Sequence, residues 1–288
     1  MFRDQRALNP NRQKQTTPAR RIKITGVGLH SGKPSEVFIC PAEANCGVYF
    51  EATDRPGRPR VRARPQAIAD TLACTALEEN GVRVYTVEHL LAALYGLGVD
   101  NARIEIHGEE VPALDGSALG FARAIMQAGI KTLPCPRRIL AAEKTIIVKS
   151  EKSLVRISPA PRLVIDCLID YPHPLVGRQR RVFNYRRDWF VRQIAPARTF
   201  GRVEDLDKLQ RMGRARGASL ENTLALGEKE LLNPQWLRFP DEFVRHKILD
   251  IMGDFSLLGA RLRARITAVA SSHRLHAECL RKMLSCFG

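Results

Sequence analysis

Two stretches decide how this chain is read. The first is Thr86-Val-Glu-His-Leu-Leu-Ala-Ala-Leu-Tyr-Gly-Leu-Gly98; the second is Pro240-Asp-Glu-Phe-Val-Arg-His-Lys-Ile-Leu-Asp-Ile-Met-Gly-Asp-Phe-Ser-Leu-Leu-Gly259. Thr86 is placed to cap a helix over 87–97, and Gly98 to stop it. Pro240 stands just ahead of a helix over about 241–258, which ends at Gly259. Residues 101–107 alternate as a strand after the first stretch. A helix capped by Asp115 follows, with Phe121, Ile125 and Met126 at helical spacing, and stops at Gly129. After the second stretch come a strand over 266–270 and a closing helix over 273–284. Upstream, residues 21–40 read as two strands around the turn 26–32, while 145–157 and 162–169 are strand-like. Each half thus runs strands, helix, glycine stop, strand, helix. That order predicts an α+β protein of two domains with similar topology. Strict alternation of strand and helix, as in a doubly wound parallel sheet, is absent.

Outward from these stretches, the chain divides into a disordered N-terminal lead over 1–19, a first α+β domain over 20–135 and a second over 136–288. The prolines of Leu133-Pro-Cys-Pro136, just past a helix stop, mark the boundary. Residues 55–65 alternate Arg and Pro with Gly and read as an exposed connection. The 288 residues are 44% hydrophobic and 26% charged, enough apolar material for a substantial core and a composition unlike that of a disordered chain. No apolar run approaches the roughly 18–20 residues that cross a bilayer. The N-terminus has basic residues but no apolar signal core, so a cytoplasmic protein is expected. Seven cysteines, odd in number and without a C-x-x-C pair, fit neither a disulfide framework nor a Cys-rich zinc site.

The net charge is +16, with 46 Lys+Arg against 30 Asp+Glu. Residues 1–137 carry 18 basic and 14 acidic side chains, and residues 138–288 carry 28 and 16, so the surplus is +4 and +12. Such an excess raises a nucleic-acid reading. Aromatics are only 6% of the chain, and it has neither a zinc knuckle nor an RNP-like aromatic strand, so no nucleic-acid partner is expected.

Each half places a histidine beside an acid or base in its first helix. Glu88-His89 does so in the first, and His246-Lys247 with Asp250 and Asp254 in the second. His246 and Asp250, four apart, share one helix face and can bind one cation. Two histidines and one aspartate form a set that leaves zinc an open position for water, and a carboxylate beside it could take that water's proton. His-Glu-x-x-His is absent, so ligands would come from both halves. His273, at the start of the last helix, reads either as a surface or capping residue or as a general acid that Asp254 orients and keeps protonated. His30, His107, His173 and His276 find no partner by spacing.

These residues lie in motifs that resemble the UDP-3-O-acyl-N-acetylglucosamine deacetylases of lipid A biosynthesis. The motifs are Gly26-Val-Gly-Leu-His-Ser-Gly32, Thr86-Val-Glu-His-Leu-Leu-Ala-Ala-Leu94, Gly98-Val-Asp-Asn101, Val111-Pro-Ala-Leu-Asp-Gly-Ser117, Ala197-Arg-Thr-Phe-Gly201 and Phe239-Pro-Asp-Glu-Phe-Val-Arg-His-Lys-Ile-Leu-Asp250. They occur in family order over nearly the whole chain. The resemblance implies helices sandwiched between two outer sheets, with one insertion per domain. It implies hydrolysis of the N-acetyl amide of a UDP-linked 3-O-acyl-N-acetylglucosamine, releasing acetate. It implies Zn2+ on His89, His246 and Asp250, Glu88 as general base, Thr199 and Lys247 at the oxyanion, and His273, steadied by Asp254, as general acid. A monomer is expected, and peripheral contact with the inner membrane surface stays open. The sequence departs from the family at Ala270-Ser-Ser-His273-Arg-Leu-His276, where Ser-Gly-His-x-Leu-Asn after a Lys is common, and at Arg202, where Phe is common. An alternative is a zinc-free relative that keeps the fold as a binding scaffold.

Overall fold

The computed structural model describes residues 2–4 and 13–285. Strand Ala102–His107 is the middle of a five-stranded sheet. It pairs antiparallel with Pro34–Cys40 and parallel with Val48–Ala52, which places Ile104 opposite both Ile39 and Phe50. Ile22–Val27 and Arg60–Arg62 are its edges. A seven-stranded sheet is built around Arg261–Val269, which pairs antiparallel with Ser153–Pro159 and parallel with Val164–Tyr171 and Ile139–Ala142. Phe2–Asp4, Ile146–Ser150 and Gly177–Asn184 pair outside these.

The helices lie between the sheets. Leu119–Ala128 packs on Ile22–Val27, and the closing helix His273–Leu284 packs on the hairpin formed by Ile146–Ser150 and Ser153–Pro159. Helices Glu88–Leu97 and Glu242–Ser256 pack on each other in the centre. All ten residues of the first are buried, as expected for a helix apolar on every side beyond Glu88 and His89. Where the two cross, a Cβ on Gly253 would lie 2.1 Å from the Glu88 carbonyl oxygen, so the backbones are in contact. The α+β class with sandwiched helices is the observed architecture. Small sheets formed by Ile68–Asp70, Ala76–Glu79 and Val82–Val84, and by Phe200–Arg202 and Leu224–Leu226, stand apart from the two large ones.

Several local expectations are corrected. The lead over 1–19, expected to be disordered, supplies two strands: Phe2–Asp4 joins the large sheet, and Lys14–Pro18 pairs with Ile130–Pro136. Residues 5–12 of that lead lie outside the described residues. The prolines at 133–136 lie within strand Ile130–Pro136. Thr86 does not cap the first helix. It sits at φ +57°, and its hydroxyl donates to Glu110 at 2.7 Å, while the helix begins at Glu88 after Val87. Asp115 accepts from the Ser117 amide and hydroxyl at 3.1 and 2.7 Å, and the helix it was expected to cap starts at Leu119. The six described cysteines are free, and no described helix is long and apolar enough to cross a membrane.

Candidate active site

The crossing at Gly253 decides the site. It sets the N-terminal turn of Glu88–Leu97 against the middle of Glu242–Ser256, so His89 meets His246 and Asp250. The two imidazoles lie edge to face, with ring centroids 4.9 Å apart. Nε2 of His89 is 3.6 Å and Nε2 of His246 is 3.4 Å from Asp250 Oδ1. All three side chains are buried. His246 Nδ1 faces the Ala197 carbonyl at 3.1 Å, which assigns the proton to Nδ1 and the lone pair to Nε2. Burial lowers the His246 pKa to about 3 despite the neighbouring Asp250, so this ring is neutral. Asp250 Oδ1 is buried with no hydrogen-bond partner. Such an atom is costly unless something charged or polar meets it. Two imidazole lone pairs and an unsatisfied carboxylate oxygen converging on one point fit a divalent cation of the zinc type.

Lys247 holds the other carboxylate oxygen, with Nζ to Oδ2 at 2.8 Å. Burial opposes its charge, but Asp250 more than offsets this and raises its pKa. Burial pushes the Asp250 carboxyl up, but the charges of Lys247 and His273 pull it further down, so it stays ionised.

On the opposite side stands a second network centred on Asp254. Thr75 donates its hydroxyl to Asp254 Oδ1 at 2.6 Å and its amide to Glu88 Oε2 at 3.0 Å. His273 Nδ1 lies 2.7 Å and His276 Nδ1 2.6 Å from Asp254 Oδ2. Nε2 of His276 meets Ser271 Oγ at 2.8 Å. Burial works against an imidazolium at His273, yet Asp254 overrides it and pushes the pKa up to about 9. Burial pushes Glu88 up as well, an effect that the nearby His273 charge only partly reverses. The site therefore pairs a carboxylate ready to take a proton with an imidazolium ready to give one. His273 Nε2 points back toward the first cluster, 4.0 Å from Asp250 Oδ2.

The segment carrying Ala197 and Thr199 is fixed by a fully buried ion pair. Glu242, with no exposed surface, accepts from the Arg198 amide at 3.0 Å, from its Nε at 2.9 Å and from the Arg238 amide at 2.6 Å. Thr199 and Phe200 then form the wall of an apolar cavity of about 310 Å³ that also contains Leu29, Leu206, Leu209 and Leu232. The Phe200 ring connects this cavity to the centre, 6.3 Å from the His246 ring and 5.6 Å from Lys247 Nζ. Arg202 lines the same cavity and pairs with Glu204 and Asp205.

Glu88, His89, His246, Lys247, Asp250, Asp254 and His273, singled out in the sequence from both halves, thus form one cluster, with Thr199 on the wall beside it. Sequence reading missed Thr75, for which no spacing signal exists, and His276. The latter stands three residues after His273, a helical interval that puts both rings on one face. Glu110 was also missed. It accepts from the His30 and Ser31 amides at 2.8 Å each and so shapes the 26–32 turn.

The chain matches the family model described as LpxC, UDP-3-O-acyl N-acetylglycosamine deacetylase, over residues 15–285. It is 41% identical over 278 residues to the UDP-3-O-acyl-N-acetylglucosamine deacetylase of Myxococcus xanthus, covering 96% of this chain and 88% of that one. Identity to the protein of the same name from Anaeromyxobacter dehalogenans is 40% over 94% of this chain and 87% of that one. For Campylobacter curvus it is 42%, over 91% and 89%. The chain belongs to the UDP-3-O-acyl N-acetylglycosamine deacetylase (LpxC) family.

Proposed function

We propose that this protein hydrolyses the N-acetyl amide of UDP-3-O-(3-hydroxyacyl)-N-acetylglucosamine in a zinc-dependent reaction that releases acetate, the committed step of lipid A biosynthesis. The observation that carries the reading is the unsatisfied, buried Asp250 Oδ1 facing the Nε2 atoms of His89 and His246, with Glu88 and His273 flanking it. The names of the relatives supply the substrate class.

His89, His246 and Asp250 would hold the zinc, which when bound supplies a Lewis acid for the carbonyl and an acidified water. Glu88, buried and fixed through Oε2 by the Thr75 amide, takes the proton of the attacking water. Lys247 and Thr199 stabilise the negative charge that develops on the carbonyl oxygen. His273, protonated and oriented by Asp254, adds to that stabilisation and gives its Nε2 proton to the leaving amine, which departs as the free amino sugar. The apolar cavity behind Thr199 and Phe200 takes the 3-O-acyl chain, and Arg202 stands on its wall.

The test measures acetate release from the UDP-linked acyl sugar with and without a chelator, alongside metal content. About one zinc per chain is expected. Its removal abolishes acetate release, and His246→Ala lowers both. Full turnover by metal-free protein would overturn the proposal.

A further inference from the structure

A large cavity lies away from this centre. It has a volume of about 800 Å³ and opens at the C-terminal end of helix Glu88–Leu97, where Leu97 and Gly98 form part of its wall. That end is about 13 Å along the helix axis from Glu88, at 1.5 Å per residue. Five arginines line it: Arg137, Arg162, Arg187, Arg261 and Arg263.

Two of them form a floor. Arg137 and Arg261 share the single carboxylate of Asp100, at 2.8 and 3.3 Å. Arg137 also donates to the Gly98 carbonyl at 2.7 Å and to Gln13 Oε1 at 3.1 Å, and Arg261 to the Tyr95 carbonyl and, at 3.1 Å, to the Val99 carbonyl. Two guanidinium groups against one carboxylate leave the floor positive. At the mouth, Arg162 comes from a loop and Arg187 from the start of the short helix Arg187–Trp189. Both are exposed, and neither makes an ion pair or side-chain hydrogen bond among the described residues. The Tyr185 ring adds an aromatic wall. Free guanidinium forks above a positive floor suit a tetrahedral oxyanion that accepts bidentate hydrogen bonds. A volume of this size admits a small organic phosphate.

We propose that this arginine-lined cavity is a binding site for a phosphate-bearing anion, separate from the His89–His246–Asp250 centre. A soluble phosphate ester and a phospholipid headgroup share this chemistry. Calorimetric titration of the full chain with inorganic pyrophosphate is expected to show saturable binding. The exposed-site double variant Arg162→Gln/Arg187→Gln should weaken it by about 10-fold or more, the scale of one lost charge-assisted contact. KM for acetate release and the melting temperature should not move in this variant, since neither arginine touches the centre or is packed. Arg162→Lys/Arg187→Lys should keep part of the affinity, as a point charge without the fork. Co-sedimentation with phosphatidylglycerol vesicles separates the sources. Binding that pyrophosphate competes away and the Gln variant loses identifies a headgroup; pyrophosphate binding without vesicle binding identifies a soluble ligand. Absence of saturable pyrophosphate binding, or affinity of the Gln variant within twofold of the parent, overturns the proposal.

Discussion

His273 shows how a single residue's environment sets its chemistry. A solvated imidazole would be mostly neutral at pH 7.5. Here burial and Asp254 act in opposite directions, Asp254 wins, and the pKa is pushed up to about 9. The sign follows directly. The protonated form, able to donate, predominates below about pH 9 and is lost above it. Acetate release is therefore expected to keep its alkaline limb near pH 9, measured as kcat/KM across pH 6–11 in a constant-ionic-strength buffer. A limb near 6.5 would remove His273 as the acid. The same linkage adds folding stability that is complete below the unfolded pKa of about 6.5 and disappears as pH rises through about 9. His276 belongs to this argument, because it shares Asp254 Oδ2 with His273 and ties Ser271 to the network. The family motif often has Asn there; in this chain the imidazole reaches both Asp254 and Ser271.

Among the elements, the crossing of helices Glu88–Leu97 and Glu242–Ser256 carries the function, and Gly253 permits it. Gly253→Ala would gain about 1 kcal/mol of helix propensity. The added methyl would sit 2.1 Å from the Glu88 carbonyl oxygen, a backbone atom that cannot rotate away. Overpacking of this kind costs about 1–3 kcal/mol, so the net effect is destabilising. Separation of the helices would also pull Glu88 and His89 away from His246 and Asp250. We expect a lower urea midpoint for Gly253→Ala together with at least a 10-fold loss of acetate release; unchanged turnover would show that the crossing tolerates separation. The two helices were legible because Glu88–Leu97 is apolar beyond Glu88 and His89 and the polar positions of Glu242–Ser256 recur at helical spacing. Strand Lys14–Pro18 was not legible. Its sequence, Lys-Gln-Thr-Thr-Pro, has no apolar alternation, and it is held by a partner strand more than 110 residues away. Caps at Thr86 and Asp115 misled for a related reason, since tertiary partners and turns claimed both side chains before the helices could. The grouping of His89 with His246 and Asp250 likewise depends on contacts between the halves. Spacing within the second helix and the chemistry of a two-His, one-Asp set suggested the ligands, and the motif resemblance implied the same grouping.

At the scale of the molecule, +4 of the +16 charge sits in a recurring pattern of two arginines on one carboxylate. Arg180 and Arg265 share Asp166, Arg181 and Arg245 share Asp241, Arg137 and Arg261 share Asp100, and Arg21 and Arg103 share Glu105. Each such cluster leaves a net positive charge while committing both guanidinium groups to the fold. Three of the four include arginines from 138–288, in line with the larger surplus of the second half. A guanidinium already paired has little to offer a phosphate backbone beyond its long-range field. Duplex nucleic acid should then feel the protein as a diffuse cation, with an attraction driven by counterion release and little else. Fluorescence anisotropy with a labelled 20-base-pair duplex is the measurement. Binding at about 50 mM salt should weaken by 100-fold or more at about 200 mM, the slope expected for several phosphate contacts without base readout. Affinity that survives physiological salt would require an organised nucleic-acid surface, which four clusters of internally paired arginines do not provide.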